Sequence, residues 1–429
     1  TAIGFQAAQN NTTGGGNTGV GSAALNTNTT GSSNTAMGSG ALYANTTASN
    51  NTAIGASALD TNTTGSSNTA VGANALTANT TGSSNTAVGV NALTANTTGN
   101  QNVTVGADSM VDNTTGCDNV AVGDNALQKN TTGLDNVALG ANAIFTKTTG
   151  NDNIGIGRNA LYYTTTASSN TAIGKNSMVT NTTGAQNAAV GCNTLYSNTT
   201  GATNVAVGNA ALQANTTASN NTAVGFESLL ANTTGNANVA MGRGALELNT
   251  TANNNAAFGR SAGRQITTGG GQTLVGTNAG CNITTGTNNQ VFGDIAGTDA
   301  VRNLTTSCSN NIVIGNNSNT AAYIKIDWTV TSDLRDKTEI KNVVHGLDFV
   351  NQITPIEYKF KKSREDNTPT GDTKYGFKAQ EILELEGDNP VIINDEDKEN
   401  LKLTSAHLIP VLVNAIKELK ARIETLENN

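Results

Sequence analysis

The sequence predicts an all-β shaft of stacked seventeen-residue coils, a parallel β-solenoid or β-roll, followed by a small α+β domain that ends in a coiled-coil helix. Two observations predict this architecture. Eighteen glycines lie seventeen residues apart without one insertion, from Gly4 to Gly293. The composition then changes abruptly, because all four prolines, both histidines and the single tryptophan lie after residue 327.

The composition excludes several classes of protein. Among 429 residues there are 47 glycines, but aromatic residues make up 4% and charged residues 13%, so one ordinary globular enzyme is not expected. A net charge of -8 leaves no basic surface for nucleic acid or anionic membranes. No apolar run reaches membrane-spanning length. The four cysteines are widely spaced, so we expect no zinc site, disulfide framework or cofactor.

The repeat reads roughly NTAVGxNALxxNTTGSS, and we call its phased glycine the ruler glycine. The residue before it is large and apolar, as in Val71, and the residue three before it is Thr or another strand former, as in Thr69. This alternation predicts a short strand whose bulky face packs in the core. A second apolar column follows four residues after the ruler glycine, as in Leu76.

Turn residues occupy the rest of each repeat. Thr-Thr recurs eight and nine residues after the ruler glycine, and Asn recurs four residues before it, as in Asn34 and Asn51. Stacked Asn side chains can form amide hydrogen bonds from one coil to the next. We therefore assign residues 1–297 to the shaft, with a length of about 85 Å if each repeat adds one rung. Since the chain starts at Thr1 without Met, we expect an N-terminal part to be missing.

The residue two before the ruler glycine is nearly always Ala or Gly, which indicates that something approaches closely there. Either the coil packs tightly within one chain, or the backbone of another chain fills the space. The second alternative predicts a fibre of several chains. The pattern resembles the stacked heads of trimeric autotransporter adhesins and the shafts of phage tail fibres.

Residues 298–327 leave the seventeen-residue phase and are predicted to form a β neck, and residues 328–429 a separate domain. Its last segment, residues 407–427, is predicted to be a helix with a heptad seam. The seam residues are Ile409, Leu412, Ile416, Leu419, Ile423 and Leu426. Ile and Leu in this order favour two strands in a parallel coil, and an amphipathic helix packed on its own domain is the alternative.

Four blocks of this domain carry a more specific resemblance. They are SDLRDK at 332–337, PIEYKF at 355–360, YGFKAQEI at 375–382 and HLIPVLVNAIKEL at 407–419. Together they resemble the self-cleaving intramolecular chaperone domain of phage tail fibres and endosialidase-type tailspikes. The resemblance implies a homotrimer whose C-terminal domain guides assembly and then cuts itself off. The implied catalytic residues are Ser332 and Lys337, and the implied scissile bond joins Thr331 to Ser332.

The chemistry is consistent with the residue types. A serine after a scissile bond can attack the preceding carbonyl if a base accepts its proton, and a neutral lysine is such a base. Asp336 and Glu339 favour the charged form of Lys337, so we expect trimerisation to bury the site. In one helix Ser332 and Lys337 would point about 140° apart, so we expect Ser332 on an extended stretch or a cap. The alternative interpretation of the hexapeptide is a helix cap beside a solvated lysine.

The chain is predicted to be the receptor-binding shaft of a virion tail fibre. Its predicted partners are further copies of the same chain and a receptor on the host surface, with glycans among the candidates. No activity other than self-cleavage is expected. The alternative is a bacterial surface adhesin, and a glycan-degrading tailspike or an ice-binding protein is less favoured. The column of Asp118, Asp135 and Asp152 is either solvated or binds cations. Phe145, Tyr162, Tyr163 and Phe226 either contact glycans or cover the core.

Overall fold

In a computed structural model the chain forms two compact units, Thr1–Asn317 and Ser318–Asn429. The structure describes residues 1–298, 303–316, 318–319, 332–361, 364–395, 398 and 401–428. Within the described part of the chain, no helix is long and apolar enough to cross a bilayer.

The first unit is a parallel β-solenoid, as predicted. Each strand pairs in parallel with the next strand of the sequence, so that Thr52 of one coil lies opposite Thr69 of the following coil. The nineteen strands form one sheet. They are β1 Ala2–Ile3, β2 Thr18–Val20, β3 Thr35–Met37, β4 Thr52–Ile54, β5 Thr69–Val71, β6 Thr86–Val88, β7 Val103–Val105, β8 Val120–Val122, β9 Val137–Leu139, β10 Ile154–Ile156, β11 Thr171–Ile173, β12 Ala188–Val190, β13 Val205–Val207, β14 Thr222–Val224, β15 Val239–Met241, β16 Ala256–Phe258, β17 Thr273–Val275, β18 Gln290–Phe292 and β19 Ile312–Ile314.

The shaft extends beyond the predicted boundary at residue 297. Strand β19 pairs in parallel with β18, although twenty-two residues separate Gln290 from its partner Ile312. The segment predicted as a neck therefore supplies one more strand to the shaft sheet. The other predicted neck strand, at residues 321–328, lies outside the described residues.

The predicted orientation of the strands is wrong. The small residue in the middle of each strand faces the interior of its own coil, as shown by Ala53 and Ala70, which are fully buried. The large residue at the end of the strand faces outward, and Ile54, Val105, Val207 and Phe258 each expose 39% of their surface. In most coils the interior has room for no more than a methyl group at the strand centre, and larger residues such as Leu274 are buried there in only a few coils. A side chain on Gly155 would place its Cβ 2.6 Å from Ile144 Cγ1.

The interior is filled by three columns of apolar residues. The first column is the Ala at the strand centre. The second is the Leu four residues after the ruler glycine, and the third is the small residue before this Leu, as in Leu59 and Ala58, which are both fully buried. The core of the shaft is thus continuous along its length but only a few side chains wide.

Two columns of buried asparagines complete the interior. In the predicted column, Asn51 donates its backbone N–H to Asn34 Oδ1 at 3.0 Å and its side-chain amide to Gly65 O at 3.0 Å. The second column, which the sequence analysis treated as turn residues, runs seven residues after the ruler glycine. There Asn79 Nδ2 donates to Asn62 Oδ1 at 2.8 Å and to Gly82 O at 2.9 Å. These bonds join every coil to the one before it through polar groups that would be costly to bury unpaired.

Four residues interrupt the second column: Ile266 and Ile283 replace Asn in the last part of the shaft, and at two earlier consecutive coils the polar residues Lys147 and Thr164 replace it. Both residues are fully buried. Lys147 Nζ and Thr164 Oγ1 have no hydrogen-bond partner, and neither has Asn130 Oδ1 of the coil before. The interruption therefore leaves three unpaired polar atoms in the interior of adjacent coils.

The second unit is a small α+β domain, as predicted. Its helices are α1 Leu347–Val350, α2 Ala379–Glu386 and α3 Ser405–Glu427, and its antiparallel strand pairs are β20 Ile356–Lys361 with β21 Pro369–Gly376 and β22 Ile393–Asn394 with β23 Lys402–Leu403. A small core joins the three helices and the β22–β23 pair, formed by Phe349, Ile382, Ile392, Ile393, Leu408 and Val411. The Glu386 carboxylate fixes the segment after α2, since it accepts the backbone N–H groups of Val391, Ile392 and Ile393 at 2.7–3.0 Å.

Helix α3 carries two apolar stripes. Leu408, Val411 and Ala415 are buried, and the same side of the helix binds α1 through Glu418, which accepts the Leu347 N–H at 2.8 Å. The second stripe is the predicted heptad seam, and all six of its side chains are exposed. The helix therefore packs on its own domain and also presents an unpaired seam.

Candidate functional site

Ser332 lies directly before a short 3-10 helix, Leu334–Asp336. Asp333 caps this helix, because its Oδ1 accepts the Arg335 N–H at 2.9 Å. The turn closes with the Lys337 N–H donating to Leu334 O at 3.2 Å. Ser332 thus lies before the helix and not within it, as expected from its five-residue separation from Lys337.

The turn brings the two predicted catalytic side chains together. Lys337 Nζ lies 2.9 Å from Ser332 Oγ and 3.2 Å from the carbonyl oxygen of the same residue. Both residues are exposed. A serine and a lysine at hydrogen-bond distance can act as nucleophile and base, provided that the lysine is a neutral amine that accepts the hydroxyl proton.

Asp333 and Arg335 hold the turn in place, a contribution that the sequence analysis did not identify. The Arg335 guanidinium binds the Asp333 carboxylate, with Nη2 2.6 Å from Oδ2 and Nε 3.1 Å from Oδ1. The side-chain and backbone hydrogen bonds from Arg335 hold the pKa of the Asp333 carboxyl below its usual value, and the same pairing raises the pKa of Arg335. The signal was the i, i+2 spacing of opposite charges within SDLRDK.

The chain within and after this turn carries exposed apolar side chains. Leu334 exposes 69% of its surface and Ile340 65%, and Val344 exposes 87%. Asp336 and Glu339, the acidic neighbours of Lys337, are also exposed. Thr331, which would supply the scissile carbonyl, lies outside the described residues.

Other candidate sites do not assemble. Asp118, Asp135 and Asp152 are exposed on successive coils, and no group of three His, Cys, Asp or Glu side chains within the described residues is arranged to hold a metal ion. His345 packs against Phe349 with a ring-centre distance of 4.2 Å. His407 Nδ1 lies 2.7 Å from Val391 O. Both histidines therefore have structural contacts.

A repetitive parallel β-solenoid followed by a small α+β domain defines a fibre-type structural protein. The model of the family described as chaperone of endosialidase matches residues 332–389 of the C-terminal unit. This match, together with the solenoid, confirms the resemblance: the chain has the make-up of a tail fibre with a C-terminal chaperone domain of the endosialidase type. No curated protein matches the chain.

The family match includes three of the four recognised blocks. It begins at Ser332, the residue after the predicted scissile bond, and ends at residue 389. It therefore covers SDLRDK, PIEYKF and all of YGFKAQEI at 375–382. The fourth block, at residues 407–419, lies beyond the matched range. The exposed seam of α3 therefore lies outside the part of the domain that the family match covers.

Proposed function

We propose that the chain is the shaft of a homotrimeric phage tail fibre, which reaches a host receptor and is assembled by its C-terminal domain. One observation carries the proposal: the outward face of the strands is apolar on coil after coil. Val, Ile, Met or Phe ends nearly every strand, and ten of these side chains are 37–44% exposed where the chain stands alone, as in Met37 and Ile173. A soluble protein seldom leaves so long an apolar stripe in water, so further copies of the chain are its fitting cover.

The C-terminal helix supports the same proposal independently. Its seam is exposed by 44–77%, although the adjacent stripe of Leu408, Val411 and Ala415 is already buried by the domain itself. Residues spaced alternately three and four apart pack against equivalent residues of a parallel helix. The heptads do not set the number of chains, and the number three rests on the family resemblance.

Self-cleavage is the second part of the proposal. Ser332 Oγ attacks the carbonyl carbon of Thr331 while neutral Lys337 takes the hydroxyl proton. The bond from Thr331 C to Ser332 N then breaks, the nitrogen takes a proton, and an ester joins Thr331 to Ser332 Oγ. Water hydrolyses the ester, which leaves a carboxylate on Thr331 and frees the Ser332 hydroxyl.

Assembly supplies the condition for this chemistry. Lys337 is exposed to water in the single chain. Burial of Leu334, Ile340 and Val344 against neighbouring chains would remove that water. Cleavage then follows correct assembly instead of preceding it.

The test is the size of the purified chain. Ser332→Ala and Lys337→Met are expected to yield full-length chain alone, whereas Lys341→Met, an exposed lysine outside the turn, keeps cleavage after residue 331. Intact-mass measurement locates the cut. Wild-type cutting in Ser332→Ala contradicts the assignment of the nucleophile.

Native mass spectrometry tests the assembly. Three copies are expected before and after cleavage, and a well-ordered single subunit at low concentration contradicts the fibre proposal. Labelling of virions with an antibody against the shaft tests the location, since an adhesin would instead label the bacterial surface.

A further inference from the structure

Most of the charged side chains and all of the tyrosines of the shaft lie in one part of each coil. We call the six residues that follow each ruler glycine the variable segment. In residues 1–298 this segment holds six of the seven basic residues, seven of the ten acidic residues and all four tyrosines. The strand and the Thr-Thr turn change little from coil to coil. A surface that distinguishes one ligand from another must differ from its surroundings, and in this shaft the variable segment carries most of the charged and tyrosine side chains that do.

The largest departure from the repeat is a group of three aromatic rings on two adjacent coils. Phe145 and Tyr162 occupy equivalent positions and stack with ring centres 4.9 Å apart and planes inclined by 12°. Tyr163 meets Tyr162 edge-on at 4.6 Å. Tyr163 exposes 50% of its surface. The group, which we call the aromatic platform, is thus ordered by its own ring contacts and still reaches solvent.

The aromatic platform is not needed to close the core. In other coils the position of Phe145 and Tyr162 is occupied by Thr77 or Gln128. The leucines beside them, Leu76 and Leu127, are nevertheless fully buried. Small or polar residues therefore suffice at this position, and the rings have another role.

Polar groups in the variable segments of the same region are suited to hydroxyl-rich ligands. Side-chain amides run along the coils, with Asn159 Nδ2 donating to Asn176 Oδ1 at 3.1 Å. On the other side of Phe145, Lys129 pairs with Asp112 at 3.3 Å. Both members of this pair are about half exposed, so they can exchange the pairing for bonds to a ligand.

We propose that the aromatic platform binds a saccharide chain of the host surface. A pyranose ring presents C–H groups that pack on the electron-rich face of an aromatic ring, and its hydroxyls bond to the amides and the Lys129–Asp112 pair. A protein partner is disfavoured, because three rings on two adjacent coils form no wide apolar core. The proposal rests on the receptor-binding part of the proposed function.

The test uses the full chain and an array of bacterial capsular and lipopolysaccharide glycans, followed by titration of the strongest-binding oligosaccharide. Tyr163→Ala and the double variant Phe145→Ala/Tyr162→Ala are expected to weaken binding about tenfold or more, which corresponds to about 1.4 kcal/mol for each tenfold step. The matched control is Tyr43→Ala, which removes a ring at the position of Tyr162 on a distant coil and is 42% exposed.

The proposal is overturned if no glycan binds the wild-type chain. It is also overturned if Tyr163→Ala and the double variant both bind the glycan as strongly as the wild-type chain does. Capture of a host protein whose binding requires Tyr163 while no glycan binds would also overturn it. Subunit count and self-cleavage of each variant are measured in parallel. Failure of glycan binding in a cleaved trimer contradicts this inference alone, whereas loss of the trimer contradicts the fibre proposal.

Discussion

Each coil of the shaft closes its own interior, whereas the C-terminal domain leaves much of its apolar surface in solvent. In the shaft the inner residues, such as Ala58 and Leu59, are fully buried, and exposed apolar side chains are mainly those of the strands' outer face. In the C-terminal domain Val344 and Tyr375 are 87% and 84% exposed beside a core of six side chains. The shaft coil is thus stabilised mainly by its neighbours in sequence, while the chaperone domain leaves apolar surface that further copies of the chain would cover in the proposed trimer.

The largest loss of shaft stability is expected from a substitution at a ruler glycine. Gly72 has a φ of +140°, and a Cβ there would lie 2.3 Å from Gly89 O. Gly72→Ala combines backbone strain with a clash against backbone, so we expect a loss of roughly 3–5 kcal/mol in the free energy of unfolding. Denaturant unfolding followed by circular dichroism measures it.

Gly15→Ala is the matched control for this glycine. Gly15 has nothing within 4 Å of the added Cβ, so the substitution should be neutral or stabilise the chain by about 0.4–1 kcal/mol through the unfolded state. Equal effects of the two substitutions would show that the glycine phase does not hold the coils together.

The two stripes of α3 test the dependence of the C-terminal domain on other chains. Leu408→Ala removes a buried side chain and should cost about 2–4 kcal/mol of domain stability. Ile416→Ser removes a side chain that is 66% exposed, so it should leave the single domain stable but weaken association. Unfolding curves and native mass spectrometry separate the two effects. If association is weakened in Leu408→Ala but not in Ile416→Ser, the proposed role of the seam in association is wrong.

Much of the shaft can be predicted from the sequence because one constraint repeats. A glycine in every seventeenth position fixes the phase, and a constant phase fixes which residues lie above one another. The inward face of the strand could not be predicted in this way. An alternation with period two defines two faces, but the choice of the inner one depends on the width of the coil, which Ala53 and Gly155 reveal only in three dimensions.

The candidate site shows the same division. The residue types of Ser332 and Lys337 follow from the sequence, as does the expectation that Ser332 lies outside a helix. Their separation of 2.9 Å depends on the turn that Asp333 and Arg335 stabilise. For α3, the heptad spacing predicts the seam, whereas the stripe of Leu408 and Val411 is defined by contacts with a distant segment of the chain.

The smallest expected effect concerns the coil in which a lysine interrupts the second asparagine column. Lys147 is buried without a hydrogen-bond partner where most other coils have Asn. Burial lowers the pKa of its ammonium group from 10.5 to about 7, against the opposing charge of Asp152. Between these two values the unfolded chain binds the proton more tightly than the folded chain, so the free energy of unfolding should rise as the pH is raised from about 7 to about 10.5.

Lys147→Asn should remove this rise and restore a donor to Asn130 Oδ1, with a gain of about 1–3 kcal/mol at pH 7. Lys129→Asn serves as the control, because Lys129 lies on the surface beside Asp112 and should not alter the pH dependence. Unfolding curves at pH 7, 8.5 and 10 measure the change. If Lys147→Asn keeps the wild-type slope, the interior of the shaft tolerates the lysine charge, and the contrast between a closed shaft and an open C-terminal domain weakens at that coil.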